Sequence, residues 1–398
     1  MSTSKNIRIG LVGAGSMGRG IAFQIHATPG MELIWVADTN PTASQSAANL
    51  GHCSLHGSEV HGLLDKHPVD VLVEATNSIG PAADYCLDAI AYGAHVVLMN
   101  AEVDLALAPL LCNEAAQKNL IVTSDAGDQH GVLASMILEA ETMGFDIVQA
   151  GNIKGFLDRY ATPESIRHEA EIRNLSVTQC CAYTDGTKLH IEMAVLANAL
   201  GYLPPEGGMT GPPAKDAQQA LELFDFESYG ETPRIDYLLG AEPGGGVYLV
   251  VRPKRQLPEE QAFYLNYYKL GKGPYYLLYR PYHLCHLETP KAILAAMRGE
   301  SILSSRAKTC DVYAYAKRDL PAGTTITHAI GSAEIYGLVE PLDNCRIPIA
   351  LLEESTALKA PVQKDEPLTF DHLDLPENRL TELWHKQQRL LNAAPDHS

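Results

Sequence analysis

The chain has 398 residues, of which 46% are hydrophobic and 20% charged, as is typical of a globular protein with two or three domains. Its apolar runs have strand length and are too short to cross a bilayer, so we expect no membrane partner. The formal net charge of −18 argues against nucleic acid as a partner, because phosphate backbones are bound through many lysines and arginines. This charge still allows a small anionic substrate that a few local cations hold.

The N-terminus and the cysteines both indicate a cytoplasmic protein. Residues 1–8 are polar and lack the apolar core of a secretory signal. The eight cysteines contain no C-x-x-C pair, so we expect reduced thiols rather than disulfides or a zinc site. The partners we expect are a small-molecule substrate and, in a homo-oligomer, further copies of the chain.

Residues 1–150 alternate strand-like and helical segments. Five short, mainly apolar runs are separated by helical segments: Ile7–Val12, Leu33–Ala37, Val69–Ala75, His95–Met99 and Leu120–Ser124. Continuous apolar strands separated by helices predict a parallel sheet that is covered on both faces. The fold class we expect is therefore α/β, with an N-terminal doubly wound parallel sheet of the Rossmann type.

The rest of the chain has two further patterns. Residues 151–306 contain a periodic helical segment, Lys188–Leu200, and then a glycine- and proline-rich stretch, Tyr202–Lys215, which predicts a long loop. We expect an α+β substrate domain in this range. Short strands with glycine and proline turns predict a small all-β module over 307–376, and residues 377–398 are expected to form a polar C-terminal helix or tail.

A glycine-rich turn between the first strand and the first helix predicts a dinucleotide site. In its G-x-G-x-x-G spacing, the first glycine permits a tight turn, the second lets a pyrophosphate approach the backbone, and the third lets helix and strand pack closely. The N-terminus of the helix adds a positive dipole end. The alternative is a glycine turn in a nucleotide-free fold of the same kind. The residues predicted to contact the cofactor here are Gly13, Ala14, Gly15, Ser16, Met17 and Gly18.

An acidic residue in the expected place supports the dinucleotide site. Asp38 ends the second strand, twenty residues after Gly18, where a carboxylate can accept hydrogen bonds from ribose hydroxyls. A carboxylate there repels a 2′-phosphate, and no arginine follows it. The sequence therefore predicts NAD or NADP as the cofactor, with NAD favoured. Thr76 and Asn100, which follow later strands, are further predicted cofactor contacts.

Two segments rich in carboxylates, Asn100–Asp104 and Ser124–Gly131, follow predicted strands. Ligands of open α/β sheets bind beyond the carboxyl ends of the strands, so we expect both segments to be loops near the nicotinamide. The alternative is that these residues are ordinary solvated loop acids.

Several segments together resemble one family of enzymes. They are Gly13–Gly18, Asn100–Asp104, Gly127–Gln129, Tyr183–Lys188, Tyr279–Leu284 and Ala316–Thr327. In these segments the chain resembles homoserine-dehydrogenase-like oxidoreductases with a C-terminal SAF domain, a group that includes deoxyxylulose-phosphate reductoisomerase-like enzymes. The resemblance implies an NAD(P)-dependent oxidoreductase with a SAF-like module at 307–376. Homoserine dehydrogenases have an Asn-Lys pair where this chain has Asn100-Ala101, which separates it from true homoserine dehydrogenases.

Hydride transfer to a carbonyl group requires a proton donor for the developing alkoxide. Lys188, at the start of a predicted helix, is the first candidate, and Asp185 in the preceding turn is the second. The alternatives are an ordinary helix-face ion pair of Lys188 with Glu192 and a helix-capping role for Asp185.

Further candidates would bind or activate a small, polar, anionic hydroxy or keto substrate. Lys154 would bind a carboxylate or phosphate, and His283 would act in acid–base chemistry, although a strand-end lysine and a structural histidine are equally ordinary. Glu102 is a candidate catalytic carboxylate. With Asp128 it would also hold Mg²⁺ or Mn²⁺ in a reductoisomerase reaction of the deoxyxylulose-phosphate type. A simple homoserine-dehydrogenase-like reaction and a non-catalytic NAD(P)-binding regulator are the other hypotheses.

Overall fold

The computed structural model describes residues 5–173 and 175–393. Its strands are β1 (Ile7–Val12), β2 (Met31–Ala37), β3 (Leu55–Gly57), β4 (Val71–Glu74), β5 (His95–Leu98), β6 (Val122–Ser124), β7 (Phe145–Lys154), β8 (Arg234–Leu239), β9 (Val247–Pro253), β10 (Tyr276–Arg280), β11 (Cys310–Ala316), β12 (Thr325–Ile326), β13 (Ile335–Pro341) and β14 (Thr356–Ala357). Its helices are α1 (Ser16–Ala27), α2 (Pro41–Leu50), α3 (Val60–Lys66), α4 (Gly80–Ala91), α5 (Ala101–Ala116), α6 (Gln129–Thr142), α7 (Arg167–Ile172), α8 (Val177–Thr184), α9 (Thr187–Leu200), α10 (Ala220–Leu223), α11 (Glu259–Tyr267), α12 (Cys285–Met297) and α13 (Arg379–Ala393).

The described residues form two compact units that do not follow the predicted boundaries. Unit 1 comprises residues 5–131, 284–307 and 375–393, and unit 2 comprises 132–283 and 308–374. The predicted divisions at 150, 306 and 376 differ from this arrangement because α12 packs against α1 and α13 packs against α5. Two late segments of the chain thus complete the first unit.

Unit 1 contains the predicted Rossmann-type sheet, which confirms the α/β fold class. Its six strands are parallel in the order β3-β2-β1-β4-β5-β6. The order reverses between β1 and β4, which is the point where ligands bind in doubly wound sheets. Strand β4 is buried along its whole length, β1 is buried from Ile9 to Val12, and β5 is buried from Val96 to Leu98, as expected for a sheet with helices on both faces. The short strand β3 was not predicted.

The segment Asn100–Asp104 is the start of a helix, so its prediction as a loop is wrong. The side-chain oxygen of Asn100 accepts hydrogen bonds from the backbone N–H groups of Glu102 and Val103, at 3.1 and 3.3 Å. An asparagine cap followed by acids in the first turn favours a helix start, because it satisfies free N–H groups and matches the helix dipole.

A glutamine of helix α13 binds the backbone of α5. Gln387 of α13 is fully buried; its Oε1 accepts from Leu110 N at 3.1 Å, and its Nε2 donates to Ala106 O at 2.8 Å. Ala106 O and Leu110 N belong to the turn of α5 that contains Pro109, a residue without a backbone N–H. The predicted polar tail is therefore a packed helix of unit 1.

Unit 2 contains a mixed four-stranded sheet in the order β10-β9-β7-β8. The predicted long loop, Tyr202–Lys215, runs beside β8, with parallel bridges from Leu203 to Arg234 and from Pro213 to Leu239. This irregular segment covers the edge of the sheet.

The predicted β module is part of unit 2 rather than a separate domain. Strands β11 and β13 form an antiparallel pair, as do β12 and β14. Strands β11 and β13 both pack on α9, so the segment 308–374 shares a core with the residues before it. Its resemblance to a SAF domain stays a prediction.

Candidate functional site

The glycine turn of unit 1 has the shape that a dinucleotide requires. Gly13 has a φ of +93°, and a Cβ at this position would collide with the carbonyl oxygen of Ala75. A Cβ at Gly18 would collide with the carbonyl oxygen of Gly13, so this glycine is needed for close packing of α1 on the turn. By contrast, a Cβ at Gly15 would have no heavy atom within 4 Å. The open space beside Gly15, at the N-terminus of α1, fits the place of a pyrophosphate.

Asp38 fixes the same turn through both carboxylate oxygens. Oδ2 accepts a hydrogen bond from Ala14 N at 2.7 Å, and Oδ1 accepts one from Asn40 N at 2.7 Å. Each carboxylate oxygen has more than one acceptor position, so these bonds leave capacity for ribose hydroxyls. Asp38 thus ties the glycine turn to the end of β2 at the expected ribose position.

A buried glutamate that sequence analysis missed organises the loop after β4. Glu74, the last residue of β4, is fully buried, and its Oε1 accepts from Thr76 N at 2.8 Å. Burial raises the pKa of Glu74 to about 7. The amide of Asn100 donates to Ser78 O at 2.7 Å, so Thr76 and Asn100, both predicted cofactor contacts, are held around one loop. The sequence signal was an acid directly after an otherwise apolar strand.

Three carboxylates at this edge of unit 1 are buried, so these three are not solvated loop acids. Glu102, Asp104 and Asp125 are 6%, 4% and 0% exposed. Ser124 Oγ donates to Asp104 Oδ2, and Gly127 N donates to Asp125 Oδ2 at 2.7 Å. Burial raises the pKa of Asp104 to about 6 and that of Asp125 to about 7.

Asp128 lies among groups that could coordinate a metal. Within unit 1, potential ligand atoms of His130 and Cys285 each lie within 4.8 Å of its carboxylate. Glu102, its predicted partner, is not in these groups in the part of the chain that the structure describes. A metal at Asp128 stays a prediction.

In unit 2, the predicted proton donor lies at the start of a fixed helix. Lys188 is the second residue of α9 and is half-buried, with its Nζ 6.0 Å from the ring centroid of Tyr183. Asp185 is buried in the preceding turn, where Oδ1 accepts from Thr187 N at 2.8 Å and Oδ2 lies 2.9 Å from Lys317 Nζ. These contacts give Asp185 a structural role at the helix start, and its catalytic role is untested.

The other predicted residues of unit 2 lie on different elements. Lys154 is the half-buried last residue of β7, and His283 follows β10. The guanidinium of Arg280 stacks on Tyr282, with 4.6 Å between Cζ and the ring centroid, as in a cation–π pair. Asp185 and Lys188 thus belong to one turn and helix start, whereas Lys154 and His283 lie on other elements.

Asn152 is a second residue that sequence analysis missed. It is fully buried on β7, and neither its Oδ1 nor its Nδ2 has a hydrogen-bond partner within the described residues. Strand alternation places it on the same sheet face as Lys154. Asn152 is paired in register with Tyr237, whose ring contacts His190 of α9 at 6.4 Å between centroids. A buried amide without partners is costly and is often a place for a bound polar group.

His190 is not a proton carrier in this arrangement. Its Nδ1 accepts a hydrogen bond from Val339 N at 3.0 Å, and the ring is buried. Burial, with Arg159 nearby, lowers the pKa of His190 to about 3, so the imidazole is neutral at working pH.

Two family models match successive parts of the chain. Residues 13–125 match the NAD-binding domain of homoserine dehydrogenase, and residues 127–289 match the catalytic domain described as oxidoreductase DRL. The chain thus carries an NAD-binding domain of the homoserine dehydrogenase type, followed by an oxidoreductase catalytic domain. A comparison with curated proteins gives no match.

Solved structures of dehydrogenases are similar at low identity. The myo-inositol 2-dehydrogenase of Lactobacillus plantarum is 14% identical, with a TM-score of 0.42 and coverage of 75% of this chain and 91% of that chain. The scyllo-inositol dehydrogenase of Lactobacillus casei is 11% identical, with a TM-score of 0.43 and coverages of 75% and 90%. The myo-inositol dehydrogenase of Corynebacterium glutamicum is 14% identical, with a TM-score of 0.38 and coverages of 62% and 72%. Similarity this low carries no inference about the substrate.

Across the described ranges, no helix combines the length and hydropathy that a bilayer crossing requires.

Proposed function

We propose that this NAD(P)-dependent oxidoreductase uses NAD in preference to NADP and transfers a hydride at a CH–OH or carbonyl carbon of a small, polar, anionic metabolite. The observation that carries the proposal is the glycine turn of unit 1, which is open at Gly15 and tied to Asp38 by a 2.7 Å hydrogen bond. The match of residues 127–289 to an oxidoreductase catalytic domain supports it.

The residues of unit 1 would hold the cofactor. The backbone N–H groups at the start of α1 would bind the pyrophosphate, and Asp38 would accept hydrogen bonds from the ribose. When bound, the nicotinamide accepts or supplies the hydride. The carboxylate of Asp38 would lie close to the 2′-phosphate of a bound NADP, and the repulsion of these two anions would favour NAD.

The residues of unit 2 would bind and protonate the substrate. In the reductive direction, the ammonium group of Lys188 would donate a proton to the carbonyl oxygen as a hydride reaches the carbon. Lys154, a half-buried residue, would bind the carboxylate or phosphate of the substrate. Asn152 would supply an amide to a hydroxyl or carbonyl of the substrate, which would satisfy its buried oxygen and nitrogen.

The experiment measures cofactor binding and turnover separately. Fluorescence titrations of the purified chain with NADH and NADPH give the two dissociation constants, and hydroxy acids, keto acids and sugar phosphates are then screened for turnover. We expect Lys188→Met to lower kcat at least 100-fold and to leave NADH binding unchanged. The exposed Lys254 provides the matched control, Lys254→Met, which should behave as wild type. Turnover within a few-fold of wild type in Lys188→Met would refute the role of Lys188, and tight NADH binding without any turnover would favour a regulator.

A second candidate is a metal-dependent reductoisomerase, and the observation that favours it is that His130 and Cys285 of unit 1 each have a potential ligand atom within 4.8 Å of the carboxylate of Asp128. These residues would hold Mn²⁺ or Mg²⁺, which polarises substrate oxygens when bound. Turnover of a sugar phosphate that a chelator abolishes and Mn²⁺ restores, with loss of this response in Asp128→Asn, is the expected result. Full activity in the chelator would exclude this candidate and leave the simple dehydrogenase.

A further inference from the structure

The C-terminal part of unit 2 contains a buried lysine that is saturated with hydrogen bonds. Lys317 follows β11, and its side chain is 2% exposed. Its Nζ lies 2.9 Å from Asp185 Oδ2 and donates to the carbonyl oxygens of Ala161 and Ser332, each at 2.6 Å. An ammonium group has three N–H donors, so these acceptors use all of them.

The stability that such a pair adds does not explain its presence. Removing two charges from water costs free energy that their attraction repays only in part, and apolar replacements of buried ion pairs are often as stable. What the pair does supply is a fixed geometry, because each partner must remain in one place to avoid an uncompensated buried charge. In this chain, the fixed element is the turn at Asp185, three residues before Lys188.

Strand β13 holds the same helix start from the other side of Lys188. Gly337 N donates to Thr187 Oγ1 at 2.9 Å, and Val339 N donates to His190 Nδ1 at 3.0 Å. Because burial lowers the pKa of His190, the imidazole is neutral near pH 7 and its Nδ1 can accept this bond. The residues on both sides of Lys188 are thus anchored to the segment 308–374.

We propose that the β segment 308–374 is a positioning element of the active site, in which Lys317, Gly337 and Val339 fix the start of α9 and thereby the place of Lys188. Lys317 is the positioning residue of this arrangement; it acts through Asp185 and does not touch the reacting atoms. The inference rests on the proposed function, because it presupposes that Lys188 is the proton donor.

Two substitutions that do not replace Lys188 itself test the inference. Lys317→Met removes the ion pair, and Thr187→Val removes the acceptor of Gly337 N with almost no change in shape. Thr187→Ser keeps the acceptor and is the matched control. We expect kcat to fall at least 10-fold in the first two variants, with KM and NADH affinity within twofold of wild type, and to stay near wild type in Thr187→Ser. If Lys317→Met does not fold, the pair of Thr187 variants decides alone.

Rescue by a free amine distinguishes positioning from a general loss of structure. Lys188→Ala should regain part of its turnover in ethylamine, because the free amine supplies the missing proton donor. This rescue should be equal with and without Lys317→Met, since a free amine does not depend on the place of α9. Suppose that Lys188→Met is inactive, while Lys317→Met and Thr187→Val fold and turn over within twofold of wild type. The positioning inference then fails and the proposed function stands. If Lys188→Met is active, the proposed function fails.

Discussion

Replacing Glu74 with glutamine should make unit 1 more stable at high pH and change it little at low pH. The folded protein holds this carboxyl with a pKa of about 7, against 4.5 for an exposed glutamate, because the group is fully buried. A pKa that is higher in the folded state means that the folded state binds the proton more tightly. The free energy of unfolding of the wild type therefore falls as the pH rises from about 4.5 to about 7. Above that range Glu74 is ionised in both states, and the loss of stability is complete.

The size of this change in the free energy of unfolding follows from the shift in the pKa of Glu74. A difference of about 2.5 pKa units corresponds to about 3 kcal/mol when Glu74 is fully ionised, and to less than about 1 kcal/mol at pH 5. Glutamine keeps the oxygen that accepts from Thr76 N and cannot ionise. Any change in the bonding of its second polar atom adds a constant that does not depend on pH. The difference in free energy of unfolding between Glu74→Gln and wild type should thus increase by about 2 kcal/mol from pH 5 to pH 8.

Tryptophan fluorescence during urea unfolding reports on the relevant unit. The chain has two tryptophans, Trp35 and Trp384, and both lie in unit 1. Glu32→Gln, at an exposed position of β2, is the control and should give a difference that does not vary with pH. A Glu74→Gln curve parallel to that of the wild type over pH 5 to 8 would show that Glu74 is already ionised in the folded protein, which would refute the reasoning.

Further predictions concern the glycine turn, Asp38 and the contact between α13 and α5. Gly15→Val should abolish NADH binding in fluorescence titrations and leave the unfolding midpoint unchanged, because its Cβ enters empty space and the backbone there has an ordinary φ of −66°; unchanged binding would place the pyrophosphate elsewhere. Asp38→Asn should weaken NADH binding by about 10- to 100-fold, because the amide NH₂ group would face a backbone N–H, donor against donor. NADPH binding should weaken less, because the substitution also removes the negative charge that repels the 2′-phosphate. An equal loss for both cofactors would contradict a ribose contact. Gln387→Ala should lower the free energy of unfolding by about 1–3 kcal/mol, since it removes two buried hydrogen bonds to the backbone of α5. The neighbouring Gln388→Ala should have little effect, and equal losses in the two variants would show that the bridge adds no stability.

The sequence predicted those parts of the fold and site whose causes are local in the chain. The turn at Gly13–Gly18 and Asp38 could be found because a strand, a turn and a helix determine their geometry within about 25 residues. The start of α5 also has a local cause, the cap at Asn100 and the acids in the first turn. The bonds of Gln387 to α5 and of Lys317 to Ala161 span 277 and 156 residues, and no periodicity or spacing indicates such contacts. The unit boundaries were missed for the same reason.

The completion of unit 1 by α13 has a consequence for folding during synthesis. The sheet β1–β6 leaves the ribosome first, but α13 is translated only after all of unit 2. At about 5–20 residues per second, roughly ten seconds to a minute separate the two events. During this interval the turn of α5 around Pro109 lacks its bonds to Gln387, and the surface of α5 that α13 covers stays exposed. We expect this nascent intermediate to be the species that chaperones bind and that aggregates when synthesis stops early.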